Sequence, residues 1–161
     1  MSESWRTRID RWKFNLFPAY RGPGGRVTYI RHDWREVRVE LPLSWRTRNY
    51  VGTIYGGSLY GAVDPMYMLM LIKNLGPDYV VWDKAATIRF RRPGRSLLTA
   101  TFLLDQKVLD EIRIELTQTP KVDRVFTLDL IDQAGLAHAE VQKTIHISRR
   151  DKIQSESLAS D

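Results

Sequence analysis

The sequence predicts an α+β domain in which a curved antiparallel sheet wraps around one long apolar helix. The first observation is the run from Tyr55 to Asn74, which is apolar on nearly every side and must therefore be covered by other elements. The second is an alternation of apolar and polar residues in several other segments, which is typical of half-buried strands. The third is the length of 161 residues with 43% hydrophobic content, enough for one domain with a real core.

Composition excludes several kinds of site. The chain has no cysteine, which rules out disulfides, thiolate metal sites and a cysteine nucleophile. Its three histidines, His32, His138 and His146, have no zinc-binding spacing, so we expect no metal and no bound cofactor. The net charge of +6 favours an anionic ligand, and without a nucleic-acid-binding motif a phosphorylated small molecule is the better match.

Nothing in the sequence predicts a membrane span or a secretion signal. The apolar run from Ile54 to Ile72 contains Asp64, Pro65 and three glycines, which favours a buried core helix. Arginines interrupt any apolar segment near the N-terminus. We therefore expect a cytoplasmic protein.

Residues 3–17 predict an amphipathic helix, because Trp5, Ile9 and Trp12 recur at spacings of four and three. Its apolar face could dock on the domain, which is the commoner outcome, or lie on a membrane surface. Pro18 and the following glycine-rich turn end it. We assign residues 1–20 to this N-terminal segment, 21–148 to the main domain, and 149–161 to a polar, disordered tail.

Two strands follow, at residues 26–33 and 36–41, and form an antiparallel hairpin. The central helix is expected from about Tyr55 to Asn74, with Gly76 and Pro77 as its stop. Pro65 lies inside it and cannot bond the carbonyl of Gly61, so the helix kinks or breaks near Asp64.

The second half of the chain reads mostly as strands. Residues 80–92 predict a long strand with Trp82, Ala86, Ile88 and Phe90 on one face, into which Lys84 intrudes. A strand at 97–103, a short helix or turn at 105–111 and a further strand come next. Strands at 122–132 and 136–147 enclose a hairpin turn from Asp132 to Gly135.

The glycine pair Gly56-Gly57 and the lone acid Asp64 carry the chemical signal. Glycines allow close backbone approach, and a helix start offers free N–H groups that can hold an oxyanion. An acid among apolar residues is costly to bury unless it is satisfied or used. Taken alone, Asp64 is better explained as the cap of a broken helix, and the glycines as a turn or packing feature.

The segment Asn49-x-x-Gly52-Thr53-x-Tyr55-Gly56-Gly57, followed by Asp64, resembles the hotdog-fold superfamily and its PaaI-like acyl-coenzyme A thioesterase branch. The stretch from Ile88 to Gly94 is similar to the strand and turn that follow the helix in that family. The resemblance covers roughly residues 14–148. It implies a hotdog fold, to which the predicted N-terminal amphipathic helix is an addition. It also implies a homodimer, which can pair into a tetramer, with active sites at the dimer interface.

The resemblance also implies roles for individual residues. Asp64 would activate a water or attack the thioester, the Gly57 N–H would polarise the carbonyl, and Asn49 would hold the carbonyl or only the loop. Asp83 stands where relatives carry a Ser or Thr that positions the water. Gly56 would help bind the substrate, and the coenzyme phosphates would contact three basic residues, Arg91, Arg92 and Arg95.

Two departures from the family pattern bear on activity. Tyr55 replaces the histidine that many relatives carry before the glycine pair, and tyrosine is a poor base at neutral pH. Asp83 would place a second carboxylate near Asp64 if it points inward. A simple strand sends Asp83 and Lys84 to opposite faces, so only one can face the helix.

The spacing of the motif points to two chains. Asp64 lies seven residues after Gly57, or about 10 Å along a helix. An attacking group and an oxyanion donor must both lie about 3 Å from the reacting atoms. We therefore expect a site in which Asp64 of one chain faces Gly57 of another. A non-catalytic acyl-binding module is the alternative function, and a dehydratase, which generally needs a His–carboxylate pair, is a third.

Overall fold

The computed structural model describes residues 2–150, so the predicted tail lies almost wholly outside the described residues. In chain order the elements are α1 (Trp5–Leu16), α2 (Pro18–Arg21), β1 (Arg26–Ile30), β2 (Glu36–Leu41), α3 (Gly56–Gly61), α4 (Met66–Leu75), β3 (Tyr79–Phe90), β4 (Leu98–Leu103), α5 (Gln106–Gln118), β5 (Lys121–Ile131) and β6 (Ala137–Arg149). In residues 2–150 no helix is both long and apolar enough to cross a membrane.

The six strands form one antiparallel sheet in the order β1-β2-β4-β5-β6-β3. Helix α4 packs on it through Tyr67, whose ring stacks on Phe126 at 4.3 Å and meets the edge of Phe102 at 5.1 Å. Met70 and Leu71 of the same helix are fully buried. The α+β arrangement of a sheet around an apolar helix is thus confirmed, and β3 forms one edge of the sheet.

The central helix is divided in two. Helix α3 ends at Gly61, α4 begins at Met66, and Pro65 stands at the N-cap of α4. Proline lacks the N–H that would continue the ladder, so the second of the two expected outcomes, a break, is the one observed. The buried Tyr20 hydroxyl donates to the Ala62 carbonyl at 2.9 Å, which satisfies one of the carbonyls freed by the break.

One secondary-structure prediction is wrong. Residues 106–118 form a single helix, α5, where a short helix or turn and then a strand were expected. Ile112, Ile114 and Leu116 fit a period of two as well as part of a helix. Burial decides between them, because Leu109, Ile112 and Leu116 are buried at helical spacing while Ile114 is exposed.

A β-bulge in β3 changes which residues share a face. The register against β6 slips between Asp83 and Ala85, so Lys84 is an extra residue. Trp82 stacks on the His146 ring at 4.4 Å on the outer face, whereas Ala86 opposes Lys143 on the inner face. The prediction that Trp82 shares a face with Ala86 is therefore wrong.

Helix α1 docks on the domain, but not through its tryptophans. Asn15 exchanges two 2.8 Å hydrogen bonds with the backbone of Val27, and Phe14 packs against the Tyr20 ring at 4.4 Å. Thr7 is the buried residue of the helix. The stripe of Trp5, Ile9 and Trp12 lies on the opposite side and is exposed. Asn15 and Phe14 on the inner side make the docking contacts that the sequence pattern assigned to Trp5, Ile9 and Trp12.

Candidate active site

The break between α3 and α4 places Asp64 next to a buried lysine from the last strand. Lys143 lies on β6 with its side chain 1% exposed. Its Nζ donates to the main-chain carbonyl of Asp64 at 2.6 Å and to Asp64 Oδ1, also at 2.6 Å. A broken helix exposes carbonyls that need donors, and Lys143 supplies one of them while holding the carboxylate.

Two further side chains complete this group, which we call the Lys143 cluster (Tyr60, Asp64, Asp83 and Lys143). The Tyr60 hydroxyl donates to Asp64 Oδ1 at 2.5 Å and accepts from Lys143 at 3.3 Å. Asp83 Oδ1 lies 3.1 Å from Lys143 Nζ. That oxygen is fully buried and accepts no well-directed hydrogen bond from the described residues, so the ion pair is its main stabilisation.

The bulge in β3 explains why Asp83, and not Lys84, faces the helix. Asp83 opposes Ile145 on the inner side of β6, and Lys84 turns outward to pair with Asp123 at 2.6 Å. The question that the sequence left open is settled by this geometry. Two carboxylates, Asp64 and Asp83, therefore share one ammonium group on the helix side of the sheet.

Electrostatics distinguish the members of the cluster. Burial raises the pKa of Asp83 above its ordinary value, and the nearby Asp64 adds to this, although Lys143 opposes both. Burial alone would lower the pKa of Lys143, but its contacts with Asp64 and Asp83 outweigh it and raise the pKa. Burial and the bond to Asp64 raise the pKa of Tyr60. Lys143 thus stays charged between its two acids.

Asp64 is the open side of the cluster. Its side chain is 41% exposed, against 22% for Asp83. Both cluster bonds to its side chain reach Oδ1, so Oδ2 is left to contact a ligand. The carboxylate borders a groove of about 430 Å³ between the N-terminal helices and the α3–α4 pair, whose walls are mainly apolar side chains, among them Phe14, Phe17, Tyr20, Met68 and Leu69.

The loop before α3 is held by Asn49. Its Oδ1 accepts from the backbone N–H groups of Val51 and Thr53, at 3.1 and 3.0 Å, and its Nδ2 donates to the Thr53 hydroxyl at 2.9 Å. These three hydrogen bonds all lie within the loop. Of the two roles expected for Asn49, this geometry favours holding the loop over contacting a ligand.

The glycine pair lies at the start of α3, where Tyr55 is the N-cap and provides no side-chain cap. The Tyr55 ring lies over Gly57, where an added Cβ would come within 2.4 Å of it, and the Phe90 ring lies over Gly56. Gly57 and Tyr55 are exposed. The Ser58 and Leu59 N–H groups donate to the Tyr55 carbonyl, whereas those of Gly56 and Gly57 meet no acceptor in residues 2–150 and can contact a ligand or a second chain.

A second cavity, of about 470 Å³, lies on the loop side of α3. Asn49, Gly56, Arg91 and Arg92 line it, so four of the predicted site residues come together there. Arg91 pairs with Glu140 at 2.8 Å, and Arg92 donates to the Ala137 carbonyl at 2.8 Å but pairs with no acid in residues 2–150. Arg95 is exposed and does not line this cavity.

The predicted site is thus in two halves within one chain. The Asp64 groove and the loop cavity have no lining residue in common, and α3 lies between them. Asp64 and Asp83 are brought together by Lys143, whereas Gly57 stands at the start of α3, next to Gly56 of the loop cavity, and lines neither cavity. One chain alone does not place Gly57 and Asp64 around a common ligand.

Comparison with known families shows the family to which the chain belongs. A family described as "Domain of unknown function (DUF4442)" matches residues 7–147. The chain belongs to the DUF4442 family. A search of curated proteins finds no match to it.

Solved structures identify the fold of this DUF4442 chain. A Pseudomonas aeruginosa protein of unknown function, described as a probable thioesterase, superposes with a TM-score of 0.79 at 20% identity and covers 93% of this chain and 100% of its own. A Haemophilus influenzae thioesterase gives 0.63 at 15%, covering 85% and 87%. The E. coli PaaI protein of the phenylacetic acid degradation operon gives 0.61 at 17%, covering 88% and 91%. The chain has the hotdog fold of PaaI-like thioesterases.

Sequence reasoning missed Lys143, the centre of the cluster in this DUF4442 chain. The signal was present in the alternation of β6, where Val141, Lys143 and Ile145 share one period-two face. A lysine on a strand face that is otherwise apolar needs a buried acid as its partner. Asp64, the lone acid of the central helix, was the available partner.

Proposed function

We propose that this protein hydrolyses a thioester of coenzyme A, or a related acyl thioester, in the cytoplasm. The observation that carries the proposal is the placement of Asp64: a half-exposed carboxylate, fixed through Oδ1 by Lys143 and Tyr60, beside an apolar groove. The likeness in fold to proteins described as thioesterases supports it. No cofactor is required, because coenzyme A enters as part of the substrate.

In this proposal Asp64 is the general base. Its Oδ2 accepts a proton from a water as the water oxygen bonds to the thioester carbon, and the C–S bond then breaks to release the coenzyme thiolate, which takes up the proton. Lys143 and Tyr60 act as positioning residues, because their bonds to Oδ1 turn Oδ2 toward the groove. Asp83 acts through Lys143, because its ion pair holds the Lys143 ammonium group in place next to Asp64. Direct attack by Asp64 on the thioester is the other route.

The oxyanion site and the coenzyme site belong to the loop side of a second chain. There the N–H of Gly57 donates to the developing oxyanion, and Gly56 leaves room for the thioester. Arg92, which has no described acid partner, and Arg91 contact the phosphates. Tyr55 forms the wall over Gly57. Arg95, lying outside the cavity, contributes only long-range charge.

The open edge of the sheet supports a homodimer. Strand β3 pairs with β6 on one side, and its other side faces no described strand over twelve residues. Such a long edge is suited to pair with a second copy of itself around a two-fold axis. Trp82 and Phe90 on this strand are exposed in the single chain. Two such dimers can pair further into a tetramer.

The test is turnover of a panel of acyl-coenzyme A thioesters by the wild type and by Asp64→Asn, with free thiol as the readout. We expect activity on at least one acyl group in the wild type and a loss of about 100-fold or more in the variant. Equal turnover in both would remove Asp64 from the mechanism. Lys107→Gln, an exposed change on α5, is the matched control.

A specific observation favours a second candidate, a non-catalytic acyl-binding module. Lys143 and Tyr60 already occupy Oδ1 of Asp64, as in a purely structural ion pair. Such a module would bind acyl-coenzyme A in the same panel, seen by calorimetry, without releasing thiol from any member.

A further inference from the structure

Helix α1 carries an apolar stripe that the domain does not use. Trp5, Ile9, Trp12 and Leu16 follow one another at spacings of four, three and four, which keeps them within about 60° of one another around the helix at ~100° per residue. Trp5 and Trp12 are 69% and 65% exposed. Phe17, just beyond the end of the helix, extends the exposed apolar surface.

Contacts on the inner face of α1 hold the helix so that the stripe points outward. A capping box joins Ser4 and Thr7, Arg11 pairs with Glu3 at 2.8 Å, and Asn15 bonds the backbone of Val27. Because the two Asn15 bonds join this inner face to β1, the helix cannot roll to bury its tryptophans without breaking them. The stripe is therefore a fixed outer surface of the domain.

Basic side chains flank the stripe on both sides. Arg8 lies along one border, and Lys13 and Arg6 lie along the other, all three exposed. Arg6 reaches over the Trp5 ring at 5.4 Å. The acids of this region are on the inner side, where Glu3 pairs with Arg11 at 2.8 Å and more loosely with Arg8 at 3.8 Å, and Asp10 lies 3.5 Å from Lys73. The outer face of α1 thus presents tryptophans bordered by positive charge.

We propose that this face of α1 lies on an anionic lipid bilayer surface. Tryptophan favours the boundary between lipid headgroups and acyl chains, and flanking Arg and Lys reach the phosphates of anionic lipids. The complementary charge decides against a second copy of this chain, because two such faces would bring like charges together across a two-fold axis. Phe17 also lines the Asp64 groove, so the groove opens beside the lipid surface.

The test is flotation of the full chain with vesicles of phosphatidylcholine, with and without phosphatidylglycerol. We expect the wild type to bind the anionic vesicles. The double variant Trp5→Ser/Trp12→Ser should bind them at least about tenfold more weakly. Arg6→Gln and Lys13→Gln should each weaken binding about fivefold, an effect that salt also produces. Trp45→Ser removes an exposed tryptophan outside α1 and should leave binding unchanged.

Three results would overturn the proposal: no binding of the wild type to anionic vesicles, equal binding by the α1 and Trp45 variants, or a lower oligomeric state of the α1 variant in sedimentation without lipid. The last would make this face a contact between copies of the chain. Thermal unfolding of each variant checks that the fold is kept. Vesicle binding is measured without substrate, so its outcome is independent of thioester hydrolysis.

Discussion

Lys143 Nζ bonds Asp64 twice, at the side-chain Oδ1 and at the main-chain carbonyl, both at 2.6 Å. One buried ammonium group therefore fixes both the orientation of the carboxylate and the backbone at the break between α3 and α4. The broken helix and the candidate site are parts of the same arrangement. A substitution of Lys143 should therefore lower the stability of the protein as well as its activity.

Lys143→Met tests this arrangement through stability. The variant leaves Asp64 and Asp83 facing each other without a cation, and loss of one partner from a buried ion pair costs about 3 kcal/mol. Because Asp64 is partly exposed, we expect the lower end of the usual range. The measurement is the free energy of unfolding by urea, with Lys107→Met on exposed α5 as the control. A loss no larger than that of the control would show that the ion pairs contribute little.

Asp83→Asn tests the electrostatics through pH. The pKa of Asp83 is raised by burial above 3.8, so the folded state keeps a proton that the unfolded state loses. This contribution to stability is present below pH 3.8 and is lost as the pH rises through the folded pKa. Wild type should therefore lose stability relative to Asp83→Asn as the pH rises from below 3.8 through the folded pKa of Asp83.

Urea unfolding of both proteins across that range gives the difference curve directly. If the wild type instead becomes more stable relative to the variant as the pH rises, Lys143 lowers the pKa of Asp83 and the ion pair outweighs burial.

The free side of β3 tests the dimer. If two copies pair along this strand, its outward amide protons are hydrogen-bonded and should exchange with solvent about as slowly as those of β6. On β1, the other edge strand, the N–H groups of Val27 and Ile30 donate to Asn15 and Glu3 of the N-terminal segment, so they serve as a second slow reference within the chain. Hydrogen exchange by NMR, together with sedimentation, measures both. Fast exchange along β3 would argue against this interface.

The sequence predicted the sheet and the apolar helix because their periodicities are long and regular. It failed at α5, where Ile112, Ile114 and Leu116 fit two periods and only burial separates them. It could not predict which face of β3 Asp83 occupies. The bulge at Lys84 adds one residue to β3 relative to β6, and such a bulge depends on the pairing with the partner strand. For such features the deciding information is tertiary.

The candidate site shows the same division. The glycine pair, Asp64 and the loop arginines could be found from local motifs. Lys143 lies 79 residues from Asp64 in the chain, and only the pairing of β6 with β3 brings it beneath the helix break. Its place on an apolar strand face was the one local sign of a buried role.

Subunit complementation tests the central claim most directly, namely that Asp64 of one chain works with Gly57 of another. Asp64→Asn and Gly57→Val, each expected to be inactive as a homodimer, are unfolded together and refolded. In a mixed dimer one site receives both intact residues, so thioester hydrolysis should return to about a quarter of the wild-type rate after random pairing. No recovery on mixing, or an active Gly57→Val homodimer, would contradict a site shared between two chains.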